Sequence, residues 1–160
     1  MKTTSNLTKV TAYITRIKDE QIQLLTMLEE GVESYGLQVP GGTLELDEEI
    51  EECLLREIHE EADLTDVKII SYLGEHKYFL AKKKANITRH YFHLSIETCK
   101  DQFTVVVHSE DEDNGWVYHY KWLNLDKTTI PELGGYLGIG LGNLYKTLFY
   151  GGEFCSKIND

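Results

Sequence analysis

Glu57, Glu60 and Glu61 lie close together in the stretch REIHEE, residues 56–61. Successive helical residues turn by about 100°, so positions i, i+3 and i+4 share one sector of a helix. The arrangement is locally unfavourable. Like charges at i,i+4 cost roughly 0.2–0.5 kcal/mol, and each acid near a helix C-terminus opposes the macrodipole by roughly 0.3–1 kcal/mol. Such a group of hard oxygen donors suits a divalent cation, Mg²⁺ or Mn²⁺. A solvated acidic face is the competing reading, and spacing alone leaves both open.

The element that must carry these side chains is a helix from about Asp47 to Ala62, a run without Gly or Pro. Asp47 is its expected N-cap, with Glu48 and Glu49 in the first turn. Ile50, Leu54, Ile58 and Ala62 form an apolar stripe with Leu55 at its edge. The three acids fall beside that stripe, bordered by Ile50 and Cys53, while His59 falls on the polar side.

Around the helix the sequence reads as strands. KVTAYITRI alternates, with Val10, Ala12 and Ile14 on one face, and QIQLLTMLE follows after KDE as the second arm of a hairpin. GLQVPGGTLEL reads as a short strand, a Pro-Gly-Gly turn and another strand. VKIISYLGEHKYFL, RHYFHLSIE and GWVYHYKWLNL are rich in β-branched and aromatic residues. NLYKTLFY, closed by Gly151-Gly152, is an expected C-terminal helix. GIGLGN before it lacks the spacing of a dinucleotide fingerprint and reads as a flexible connection. The order of elements implies an α/β or α+β arrangement with a mixed sheet.

From Gly42 the chain runs GTLELDEEIEECLLREIHEEADL. This closely resembles the Nudix box: Gly, five residues, Glu, seven residues, then Arg-Glu-aliphatic-x-Glu-Glu-x-Gly-aliphatic. Gly42, Glu48, Arg56, Glu57, Ile58, Glu60, Glu61 and Leu64 are in register. The final Gly is replaced by Asp63, a residue type that tolerates the left-handed backbone expected just past a helix.

The resemblance implies a single Nudix hydrolase domain over residues 1–160, with a mixed β-sheet sandwiched between helices. It further implies a Mg²⁺- or Mn²⁺-dependent pyrophosphohydrolase that cuts a phosphoanhydride in a nucleoside diphosphate linked to another moiety. On that resemblance Glu57, Glu60 and Glu61 hold the metal, Glu57 also helps activate water, and the Gly41 carbonyl is a further ligand. Arg56 orients the glutamates, and Glu48 pairs with it or supports the loop. A second reading within the same family is a nucleotide-sensing domain that binds without cleaving, although the intact glutamates weigh against it.

Many Nudix enzymes use another carboxylate from a loop well after the box. SEDEDNGW offers Glu110, Asp111, Glu112 and Asp113, with Glu110 and Glu112 leading by residue type; a solvated turn initiated by Asn114-Gly115 is the bland alternative. Arg89, at the start of a strand, is a candidate phosphate contact, whereas Lys82, Lys83 and Lys84 read as an exposed hairpin tip. Tyr78, Tyr91 and His93 are candidates for contacting a base, although strand aromatics are commonly core. The absence of proline between Pro40 and Pro131 weighs against the ADP-ribose subgroup. Tyr78 lies near, but not at, the tyrosine spacing of some dinucleoside polyphosphate enzymes.

Composition bounds the rest. A formal net charge of −11 argues against non-specific binding to a nucleic-acid backbone, though not against a small polyanion brought with a cation. No apolar run spans a bilayer, and MKTTSNLTKV lacks the apolar core of a secretory signal. Cys53, Cys99 and Cys155 form no CxxC pair and suit a reducing cytoplasm. A homodimer stays open.

Overall fold

A computed structural model describes residues 4–150. Its strands are β1 (Ser5–Lys18), β2 (Gln21–Glu29), β3 (Gly41–Thr43), β4 (Lys68–Leu80), β5 (Ala85–Ser95), β6 (Gln102–Val106) and β7 (Val117–Asn124). Two α-helices complete it, α1 (Ile50–Ala62) and α2 (Leu141–Phe149). The sheet runs β4-β5-β1-β2-β7-β6, with β3 added against β1. The β1–β5 pair is parallel and the others are antiparallel, which makes the sheet mixed.

Strand alternation decides which helix each residue meets. Val10, Ala12 and Ile14 pack with Leu54, Ile58 and Ala62 of α1. Tyr13, one step out of phase, packs on the opposite side with Leu141, Leu144 and Leu148 of α2. The same division holds in β2, where Leu25 and Met27 join the first cluster and Ile22 and Leu24 the second. The central strands are therefore covered on both faces and the sheet is sandwiched between helices, as expected. Each aliphatic side chain so buried contributes roughly 1.5–3 kcal/mol.

The helix carrying the acids begins later than expected. Asp47 does not cap it: its φ of 62° is left-handed, and the turn before the helix is tied by Glu48 N–H to Glu45 O at 3.2 Å. Glu49 is the N-cap, and its N–H donates to Glu52 Oε1 at 3.2 Å. The left-handed Asp47 interrupts the helical backbone there, and the Glu48 carboxylate is instead engaged by Arg56. At the other end Asp63 adopts φ 55°, ψ 40°, the left-handed conformation anticipated for the missing glycine.

Two other readings change. α2 begins at Leu141, two residues earlier than expected, so Leu141 and Gly142 are helical; Leu141 is buried, and Asn143 Nδ2 donates to Leu73 O at 2.7 Å. Gly151-Gly152 lie outside the described residues, as does Cys155. The glycine-rich connection is packed rather than loose: Gly140 N–H donates to the Tyr13 hydroxyl at 3.1 Å, and a Cβ there would stand 2.7 Å from that of Tyr91. β6 was not anticipated; it is a short edge strand against β7 with alternating exposure. Among the described residues no helix is long and apolar enough to cross a membrane.

Candidate active site

α1 and the residues before β7 bring five carboxylates together. Oxygens of Glu57, Glu60 and Asp111 lie within 4.8 Å of one another, as do those of Glu57, Glu61 and Asp113. The cluster opens into a cavity of about 680 Å³ whose lining includes Gly41, Gly42, Glu57, Glu61 and Asp113.

The local chain explains this convergence. Glu57 and Glu61 are only 4% and 6% exposed, because their sector of α1 turns toward β3. Glu61 Oε1 accepts the Gly41 N–H at 3.0 Å. Gly42 lies so close that a Cβ would stand 2.0 Å from the Glu57 carboxyl carbon; here the box glycine is required by contact. Gly41 is likewise constrained, since a Cβ there would meet Val10 O at 2.3 Å.

Arg56 is the counter-ion inside the cluster. Its Nε and Nη2 donate to the two oxygens of Glu48 at 2.7 and 2.9 Å, a fork-to-fork pair. Nη1 donates to Glu57 at 2.9 Å and reaches Glu60 at 3.4 Å, and Nη2 also holds Thr43 O at 3.1 Å. Arg56 thus spans the loop, the helix and β3, and does not line the cavity. That bidentate bond holds the Glu48 carboxyl down at about 2.

One guanidinium does not neutralise the group. Burial, reinforced by Glu60 and Asp113, pushes Glu57 up to about 7 despite Arg56. Burial also raises Glu60, and it raises Glu61 well above the usual carboxylate range even with the Gly41 N–H in opposition. Buried carboxylates so perturbed, with excess negative charge and a glycine cradle pressed against them, fit a hard divalent cation.

In the downstream loop the structure corrects the emphasis by residue type. The side chains converging with α1 are Asp111 and Asp113, whereas Glu110 and Glu112 are exposed and reach the cavity lining without joining either cluster. Asp113 is held by the Ser109 hydroxyl at 2.5 Å. Asn114 Oδ1 accepts the Ser109 N–H at 3.0 Å, and Gly115 closes the turn with a φ of 89°.

Among the candidate substrate contacts, Arg89 lines the cavity, and Tyr78 and Tyr91 do not. Tyr91 is 1% exposed in the α2-side core, and its hydroxyl donates to Tyr136 O at 2.7 Å. It shares a strand face with Arg89 but lies deeper, packed on Tyr13 and Gly140. Tyr78 stacks on Tyr136 with centroids 3.7 Å apart, and its hydroxyl accepts Arg89 Nε at 3.2 Å; it positions the arginine. His93 is buried beside Thr15, and His59 is exposed. Lys82 is exposed, whereas Lys83 reaches the cavity. Lys9, Tyr35, Trp116 and Tyr118 also line it and were not anticipated. Nothing local marks them: the pairing of β1 with β5 and of β2 with β7 brings Lys9 and Tyr118 here, and Tyr35 and Trp116 come from the segments beside these strands.

A mixed sheet between two helices, with a carboxylate cluster at one end of a cavity, defines an α/β domain with a candidate hydrolytic metal site. A model of the NUDIX domain matches residues 7–136. The chain belongs to the Nudix family, and its class is that of hydrolases acting on pyrophosphate bonds. Its fold is similar to a MutT protein from Methanosarcina mazei, at 19% identity, TM-score 0.64, and 94% and 100% of the two chains covered. It is also similar to an Ap4A hydrolase from C. elegans, at 19% identity, TM-score 0.60, and 89% and 98% covered. A third similar fold is the NUDIX domain of Shewanella oneidensis NrtR complexed with ADP ribose, at 18% identity, TM-score 0.62, and 92% and 90% covered. No curated protein matches the sequence significantly.

Proposed function

We propose that this protein is a Mg²⁺-dependent pyrophosphohydrolase. Its substrate is a nucleoside diphosphate linked to another moiety, such as a nucleoside triphosphate or dinucleoside polyphosphate. The observation that carries this reading is the convergence of Glu57 and Glu61 with Asp111 and Asp113 in one cavity, with Glu60 meeting Glu57 and Asp111 at its edge.

Glu57, Glu60 and Glu61 are the residues that would hold Mg²⁺ or Mn²⁺, joined by the loop aspartates. A bound cation supplies positive charge against the phosphate oxygens and makes an attacking water more acidic. Glu57, beside the cation, is the carboxylate placed to accept the proton of that water. The water oxygen forms the new bond to phosphorus as the anhydride oxygen departs with the leaving phosphate. Arg56 keeps Glu57 and Glu60 aimed, and the Gly41 N–H fixes Glu61.

The test is a panel of nucleoside triphosphates, dinucleoside polyphosphates and nucleoside diphosphate sugars incubated with Mg²⁺, with products resolved by ion-exchange chromatography. At least one should yield a nucleotide shortened at a phosphoanhydride. A protein that takes up Mg²⁺ and binds nucleotides in calorimetry yet cleaves none of them is the non-cleaving sensor instead.

A further inference from the structure

The wall facing the carboxylates is cationic, and its charges lack partners. Lys9 on β1 and Arg89 on β5 are direct register neighbours across the parallel pair. Both line the cavity, and Lys83 joins them from the turn before β5. Like charges placed opposite each other on neighbouring strands are destabilising.

Among the described residues no ion pair offsets that repulsion. Lys9 Nζ donates to the Thr43 hydroxyl at 3.1 Å; Arg89 donates to the Thr11 hydroxyl at 2.8 Å and to Tyr78. All these partners are neutral. Among the described residues neither cation is within ion-pair distance of a carboxylate. Burial, then Arg89 and Lys83, bring Lys9 down to about 8, and Glu57 and Glu61 act against this more weakly. Half-buried cations held in place by hydroxyls and left without counter-ions form a receptor for an anion.

We propose that Lys9 and Arg89, with Lys83 at the mouth, bind the phosphates that are not attacked and thereby select substrates with three or more phosphates. The inference rests on the hydrolase reading and narrows its substrate class. In a diphosphate joining nucleoside to sugar each phosphate carries about one negative charge, so about one remains once the attacked phosphate sits at the carboxylate cluster. A nucleoside triphosphate ends in a group of about −1.5 to −2 and leaves several charges for the cationic wall. Three cations match the second case.

Lys9→Met, which keeps the alkyl chain, tests this. The ratio of KM for a nucleoside triphosphate to KM for a nucleoside diphosphate sugar should rise roughly tenfold or more. A second readout does not depend on turnover: calorimetric binding of inorganic tripolyphosphate to the Mg²⁺-saturated protein should weaken by a similar factor. An unchanged KM ratio, or tripolyphosphate affinity equal to wild type, overturns the proposal. If Lys9→Met does not fold, the exposed Lys83→Ala serves, with an expected loss of roughly threefold in the same two measurements; no loss overturns it. Lys9-dependent tripolyphosphate binding without cleavage of any nucleotide keeps this subsite and removes the hydrolase reading. Cleavage with unaltered Lys9→Met selectivity does the reverse.

Discussion

The two walls of the cavity treat charge in opposite ways. On the α1 side five carboxylates share one internal counter-ion, Arg56, which is itself committed to Glu48. On the β1–β5 side the cations have only hydroxyl partners. Had both sets served stability they would be paired with each other. They stand apart in one cavity, so each sets aside folding free energy for something that enters. The acidic wall suits a cation and the basic wall suits an anion, and a metal–polyphosphate complex presents both.

The largest effect that can break this comparison lies on the acidic wall. Glu57→Gln and Glu61→Gln should each lower kcat by about 10²–10⁴-fold with circular dichroism unchanged. Losses below tenfold in both would mean that the wall does not do the chemistry. Gly42→Ala comes next: a methyl group 2.0 Å from the Glu57 carboxyl carbon must displace it, and misplacement of about 1 Å costs on the order of 10²-fold. Steady-state kinetics on a variant of near-native melting temperature checks it. Within the loop, Asp113→Asn should weaken Mg²⁺ binding by roughly tenfold. Glu112→Gln should stay within about threefold in the same titration, and the reverse order would restore the emphasis on glutamate.

The smallest effect concerns pH. In metal-stripped protein Glu57 sits at about 7, against 4.5 when solvated. The folded state therefore binds the extra proton between those values. Stability falls as pH rises from about 4.5 to about 7 and levels off above. Melting temperature measured at about pH 5 and pH 7.5 should drop by roughly a few degrees more in wild type than in Glu57→Gln. Saturating Mg²⁺ should remove the difference.

The acidic wall was largely legible in the sequence because its members are close in the chain. Helical periodicity alone puts Glu57 and Glu61 on one sector, and the spacing from Gly42 to Leu64 carries the family. The helix start was misread because the turn from Glu45 to Glu48, with Asp47 left-handed, precedes it. The loop acids were visible as a set, but the choice among them was not. Residue type favoured Glu110 and Glu112, whereas the turn closed at Gly115 brings Asp111 and Asp113 to the cluster. Tyr91 shows the same limit from the other side, since only its packing against α2 reveals that it is core.

The sequence by itself determined the helix that bears the glutamates, the strands around it apart from β6, the left-handed Asp63 and the family. All of these follow from short-range periodicity, backbone preference and fixed spacing. Only the tertiary structure decided that Lys9 and Arg89 are neighbours and that they face the carboxylates. The parallel pairing of β1 with β5 joins residues distant along the chain, and no local pattern encodes which strand lies beside which.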